Sequence, residues 1–134
     1  MKAYGYGRAS TLKQKGKMTR KDQELFCTSY YETKLKPDGY EWGGFYYDEA
    51  KSGGTVFSER DKGFVLYHLL QRGDFLMCSE MSRMFRNKID GLTCLEDLEK
   101  RGVLKYIGDM GDMSGMHGNE VISEYVEYQL IGLA

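Results

Sequence analysis

Long apolar runs are missing from this sequence. The longest, residues 64–70, is interrupted by His68 and is far too short to cross a bilayer, so no membrane partner is expected. The opening MKAYGYGRAS lacks the apolar stretch of a secretory signal, which predicts a cytoplasmic protein. Cysteine is scarce: Cys27, Cys78 and Cys94 are odd in number and widely spaced, which argues against a disulfide framework or a CxxC metal site and predicts buried thiols. A single proline removes any disordered or collagen-like bias. Neither sign of charge is in excess, since 19 basic and 20 acidic residues leave −1, and any surface for nucleic acid must be local. Histidine is nearly absent. His68 falls inside an apolar helical pattern, as a packed or boundary residue, and His117 lies in a glycine-rich loop with no partner nearby in sequence. With no G-x-S-x-G elbow either, a Ser-His-Asp hydrolase is disfavoured.

What is present fits one domain. The 134 residues are 41% hydrophobic and 29% charged, enough to bury a single core. Apolar runs at 3–6, 44–47, 75–78 and 103–107 predict four strands. Helical spacing fills the gaps between them. Leu25, Phe26, Ser29, Tyr30 and Thr33 repeat within 20–36 before Pro37-Asp38-Gly39 stops the pattern. Phe64, Leu66, Tyr67 and Leu70 repeat within 60–71, ended by Gly73; Ile89, Leu92, Leu95 and Leu98 repeat ahead of a capping Gly102. Strand and helix alternate with connections long enough for crossovers, which predicts an α/β fold with a mainly parallel sheet of four to five strands flanked by helices. The loop 108–118 carries Asp109 and Asp112 without the ligand spacing of a calcium hand, and reads as a connector with no metal site. The segment 119–133 is apolar on more than one side through Val121, Ile122, Tyr125, Val126, Tyr128 and Leu130, so it needs a partner.

Parallel sheets form their sites at the carboxyl ends of strands. Ser10 follows the first strand, Asp48-Glu49 the second and Ser82-Arg83 the third, so all three can converge on one rim. Arg8 stands two residues before Ser10, Arg60 precedes the second helix, and Arg83 and Arg86 are three residues apart. On a helix that spacing would place Arg83 and Arg86 on one face near the positive N-terminal end. Arginine stays charged and offers a planar fork of donors, so several together would hold a phosphodiester and make a nearby Ser10 hydroxyl a better nucleophile. Each residue also has a structural reading: Ser10-Thr11 as a helix cap, Arg86 as an ion-pair partner of Asp90.

In order along the chain, Tyr6-Gly7-Arg8-Ala9-Ser10-Thr11, Gln23, residues 47–54 leading to Arg60-Asp61-Lys62-Gly63-Phe64, and Gly73-Asp74 followed by Ser82-Arg83-Met84-Phe85-Arg86 resemble the motifs of the serine recombinases, the resolvase/invertase family. The resemblance implies a resolvase-like catalytic domain over residues 1–118, with 119–134 starting a long helix that serves oligomerisation and contacts DNA. It implies that Ser10 attacks a phosphodiester at a DNA crossover site to form a 5′-phosphoserine linkage, with Arg8, Arg60, Arg83 and Arg86 binding the phosphate. Gln23, Asp48 and Ser82 would be supporting residues. It further implies homodimers assembling into tetramers through the C-terminal helix, and no metal or nucleotide cofactor, because the linkage conserves the bond energy. Two departures stand out. Ser82 occupies a position where small resolvases often carry aspartate, and it is a poor general acid at neutral pH. The C-terminal DNA-binding domain expected of the family is absent from this chain, whether by truncation or by nature. Both leave room for a catalytically weak accessory or regulatory oligomerisation domain. A flavodoxin-like binding protein is a third reading, without a glycine-rich nucleotide fingerprint to support it.

Overall fold

The computed structural model describes residues 1–9, 18–49, 55–85, 87–108 and 111–112. Ser10, Arg86, the segment 50–54 and the expected C-terminal helix 119–134 lie outside the described residues. Within them the chain runs β1 (Lys2–Arg8), α1 (Arg20–Tyr30) extended by a π-helical turn (Tyr31–Leu35), β2 (Glu41–Asp48), a 3-10 turn (Phe57–Glu59), α2 (Asp61–Leu69), β3 (Phe75–Cys78), α3 (Met81–Met84), α4 (Lys88–Lys100), β4 (Leu104–Ile107) and β5 (Gly111–Asp112).

The five strands form one sheet in the order β2-β1-β3-β4-β5, with the first four parallel and the short β5 antiparallel to β4. The expected fold is therefore present. β1 lies in the middle, bonded to β2 on one side and β3 on the other, and its residues 3–7 are buried. One face carries α2 and α4, where Leu66, Leu95, Leu98 and, just past α2, Leu70 pack with Tyr4, Tyr6, Leu76, Cys78 and Ile107. The opposite face carries α1, where Cys27, Tyr31 and Leu35 pack with Ala3, Phe75 and Met77. The three cysteines are buried free thiols, as expected.

Three local expectations need correction. The buried residues of α1 and its π-helical extension are Gln23, Cys27, Tyr31 and Leu35, spaced by four, while Leu25 is 61% exposed. The centre of this face must be small, because Cys27 packs directly onto glycine in β1, and the aromatic rings of Phe26 and Tyr30 instead stack on Tyr106 to one side. In α2 the packed positions are Gly63 and Leu66, with Phe64 and His68 facing outward against each other, so His68 is no core residue. Finally, α3 ends at Met84 and Phe85 is extended, so no continuous helix joins Arg83 to residue 86.

Candidate active site

The connection from β1 runs over one face of the sheet through α1, and the connection from β3 runs over the other through α3 and α4. In open parallel sheets such a reversal leaves a crevice between the carboxyl ends of the two strands. Arg8 ends β1, and Ser82 and Arg83 follow β3, so the crevice is lined by two of the arginines singled out in the sequence. Arg60, just ahead of α2, reaches the same place.

The three guanidinium groups interlock through main-chain carbonyls. Arg8 donates from Nη2 to Ser82 O (2.7 Å), from Nε to Arg83 O (3.3 Å) and from Nη1 to Ala9 O (3.1 Å). Arg60 donates from Nη1 to the same Arg83 O (2.8 Å) and from Nε to Thr55 O (3.0 Å). Arg83 donates from Nη1 back to Arg8 O (3.1 Å) and from Nη2 to Met18 O (3.5 Å), with Glu80 Oε1 3.6 Å from its Nε. Arg60 and Arg83 are each only 1% exposed. Burial, then the positive charges of Arg60 and Arg83, lower the pKa of the half-buried Arg8. The one carboxylate paired directly with this cluster among the described residues is Glu80, so the crevice is electropositive.

Gln23 fastens the end of β1. Its Oε1 accepts from Arg8 N (3.1 Å), and its Nε2 donates to Arg8 O and Met18 O (3.2 Å each). The amide can come this close because position 7 has no side chain: a Cβ there would lie 2.7 Å from Gln23 Oε1. Asp48 acts differently from a substrate-binding carboxylate. It is 1% exposed and accepts from Lys62 N (2.8 Å) and Gly63 N (2.9 Å), so it caps the N-terminus of α2 from the neighbouring strand, and it also accepts from the Tyr6 hydroxyl (2.7 Å). A cleft of about 370 Å³ opens beside it, lined by Arg20, Tyr47 and Lys62 among others. Another cavity, of about 510 Å³, lies elsewhere, between α2 and α4, and none of Arg8, Arg60 or Arg83 lines it.

The structure therefore brings together Arg8, Arg60, Arg83, Gln23, Asp48 and Ser82, the last through its carbonyl. Ser10 and Arg86 lie outside the described residues. Two polar members were not singled out from the sequence: Glu80, and Tyr6, whose hydroxyl also receives Arg60 Nη1 (3.2 Å). Strand alternation marks Tyr6 as buried but gives no sign of where its hydroxyl points. Among the described residues no group of three or more His, Cys, Asp or Glu could hold a metal ion, and no helix is long and apolar enough to cross a membrane.

The family model described as Resolvase, N terminal domain, matches residues 3–122 of this chain. The chain belongs to the resolvase N-terminal domain family. No curated protein matches it closely enough to count as a relative. Among solved structures, the N-terminal catalytic domain of TP901-1 integrase is similar at 20% identity and a TM-score of 0.71, covering 97% of this chain and 95% of its own. A resolvase family site-specific recombinase from Streptococcus pneumoniae is similar at 21% identity and a TM-score of 0.53, covering 98% of this chain and 87% of its own. At such identities the two structures speak for the shared resolvase fold. The family membership rests on the match over residues 3–122.

Proposed function

We propose that this chain is the catalytic domain of a serine site-specific recombinase that cuts and rejoins DNA through a 5′-phosphoserine intermediate. The observation that carries the reading is Arg60 Nη2, a buried cationic donor with no acceptor among the described residues. Leaving a buried charged donor unpaired is costly, so a position of this kind is suited to an anionic ligand. A phosphodiester held at the crevice would meet that edge of Arg60, with Arg8 and Arg83 beside it and Arg86 as a further ligand.

In this reading the Ser10 oxygen displaces the 3′ oxygen of a DNA strand from phosphorus. The serine gives up its proton and the departing 3′ oxygen gains one. One phosphoester bond forms as one breaks, so reversal after strand exchange reseals DNA without an energy source. The arginines stabilise the charge gathered on the pentacovalent phosphorus. Gln23 holds the main chain two residues ahead of the nucleophile, and Asp48 and Ser82 support the crevice. Residues 1–118 would form the catalytic domain. The segment 119–134 would begin the helix through which homodimers join into tetramers on DNA crossover sites.

The test is covalent trapping. The chain, joined to a DNA-binding module and given the matching site, is incubated with labelled DNA and run on a denaturing gel beside Ser10→Ala. A protein–DNA adduct lost entirely in Ser10→Ala is expected. A folded, tetrameric protein that binds the site and forms no adduct would instead point to an accessory oligomerisation domain.

A further inference from the structure

We propose that Arg20, seated over the ring of Tyr47, is a second phosphate contact for DNA, holding the backbone of the cleaved strand beside the phosphodiester that Arg8, Arg60 and Arg83 bind. The inference rests on the recombinase reading for its ligand and adds a contact outside the crevice.

The position follows from the pairing of β1 with β2. Tyr47 is the register partner of Gly7, one residue before Arg8. A Cβ on Gly7 would lie 3.1 Å from Tyr47 Cδ1 and 2.7 Å from Gln23 Oε1, so the ring and the amide that clamps Arg8 sit side by side over the same glycine. Arg20 opens α1 three residues ahead of Gln23, and its guanidinium carbon stands 4.9 Å from the centre of the Tyr47 ring. Burial and the charge of Glu49 raise the Tyr47 pKa, while Arg83, Arg20 and Arg8 pull against them, which places the ring within the field of the crevice arginines.

Arg20 differs from those arginines in what its donors do. Arg8, Arg60 and Arg83 spend theirs largely on main-chain carbonyls. Arg20 is exposed, and among the described residues no hydrogen bond or ion pair takes any of its five guanidinium donors. A guanidinium over an aromatic face keeps an N–H edge free, the geometry that suits two phosphate oxygens at once. The ring also restrains a long side chain that would otherwise sample many rotamers, so less freedom is lost on binding. The adjoining cleft of about 370 Å³ gives the strand room, and Lys62 adds a second positive charge to its lining. The carboxylates in that lining leave both cations unpaired. Asp48 is engaged by Lys62 N, Gly63 N and the Tyr6 hydroxyl, and neither Glu49 nor Asp61 forms an ion pair with Arg20 or Lys62 among the described residues.

The experiment measures DNA binding by the chain joined to a DNA-binding module, in the Ser10→Ala form so that no strand is cut, over a range of salt concentrations. Arg20→Ala should weaken binding about tenfold and lower the slope of log affinity against log salt by about 1, the loss of one phosphate contact. Lys36→Ala is the control: it removes an exposed positive charge just past the far end of the π-helical turn and should change neither quantity. Tyr47→Leu keeps the arginine and removes the ring, so affinity should fall about threefold with the slope retained. Where Tyr47→Leu fails to fold, Arg20→Lys takes its place with the same expectation, since it keeps the charge and loses the planar fork. To locate the phosphate, the linkages flanking the scissile bond are replaced one at a time by neutral methylphosphonates. One of them should weaken binding when Arg20 is present and cost nothing further in Arg20→Ala. Unchanged affinity and slope in Arg20→Ala overturn the proposal, as does an equal fall in slope in Lys36→Ala, which would make the effect one of net charge. Full affinity without the ring or the fork, or neutral linkages that cost the same with and without Arg20, overturn it as well. Adduct formation with Ser10 intact tests the recombinase reading separately. An adduct without any Arg20 effect sinks the contact alone, and an Arg20 effect without an adduct sinks the recombinase reading alone.

Discussion

A methyl group added at position 63 would have no room. Gly63 faces the Phe57 carbonyl so closely that a Cβ would overlap its oxygen, and its N–H is one of the two main-chain donors on Asp48. Gly63→Ala must therefore push the start of α2 away from the 3-10 turn. A loss of about 1–3 kcal/mol in urea unfolding is expected, the usual range for overpacking a filled site. The same residues show how far the site can be read in sequence. Arg8, Arg60 and Arg83 are legible because each follows or precedes a strongly patterned strand or helix, and parallel strands deliver their ends to one rim. The part played by Asp48 is not legible as a helix cap, because the helix it caps begins thirteen residues later and meets it only through the sheet. Tyr6 is harder still: alternation along a strand reports burial, whereas a hydroxyl finds its partners through three-dimensional packing alone.

At the scale of elements, α1 links stability to the site. Its N-terminus is closed by a capping box in which Thr19 Oγ1 accepts from Asp22 N (3.1 Å) and Asp22 Oδ2 accepts from Thr19 N (3.2 Å). One residue beyond the box stands Gln23, the clamp on Arg8. Thr19→Ala is expected to cost about 1 kcal/mol of stability, typical of a lost N-cap. Because the frayed turn carries Gln23, hydrogen exchange at the Arg8 amide should speed up in the same variant. The helices are also where the sequence pattern and the burial part company, and for a physical reason. In α1 the apolar spacing of Phe26 and Tyr30 is real, yet those rings lean on Tyr106 while the residues directly over the sheet are Gln23 and Cys27. Hydrophobicity does not identify the innermost face of a helix that must lie against glycine.

The whole molecule should weaken in alkali. Burial, with the charges of Asp90 and Asp97 adding to it, pushes the Cys94 thiol up to about 12 from an ordinary 9.0, and burial likewise raises Cys27 and Tyr6. Below the ordinary thiol value both folded and unfolded chains keep the proton, and the contribution to stability is intact. Between 9 and 12 the unfolded chain gives up the proton first, so stability falls as pH rises. Lys105 acts in the opposite sense at pH values below 10.5, since burial lowers its pKa and the folded chain sheds that proton early. Urea midpoints measured from neutral pH through this window should decline reversibly, and less steeply in Cys94→Ala. The position of β1 in the sheet bears on a different stage of the molecule's life. It leaves the ribosome ahead of both its partners, β2 and β3, and β3 ends only at Cys78. Synthesis must run on through Cys78 before both edges of this buried, tyrosine-bearing strand are paired. Throughout that interval the nascent protein offers an open template for wrong pairing, and anything that stalls synthesis ahead of β3 should favour aggregation over folding.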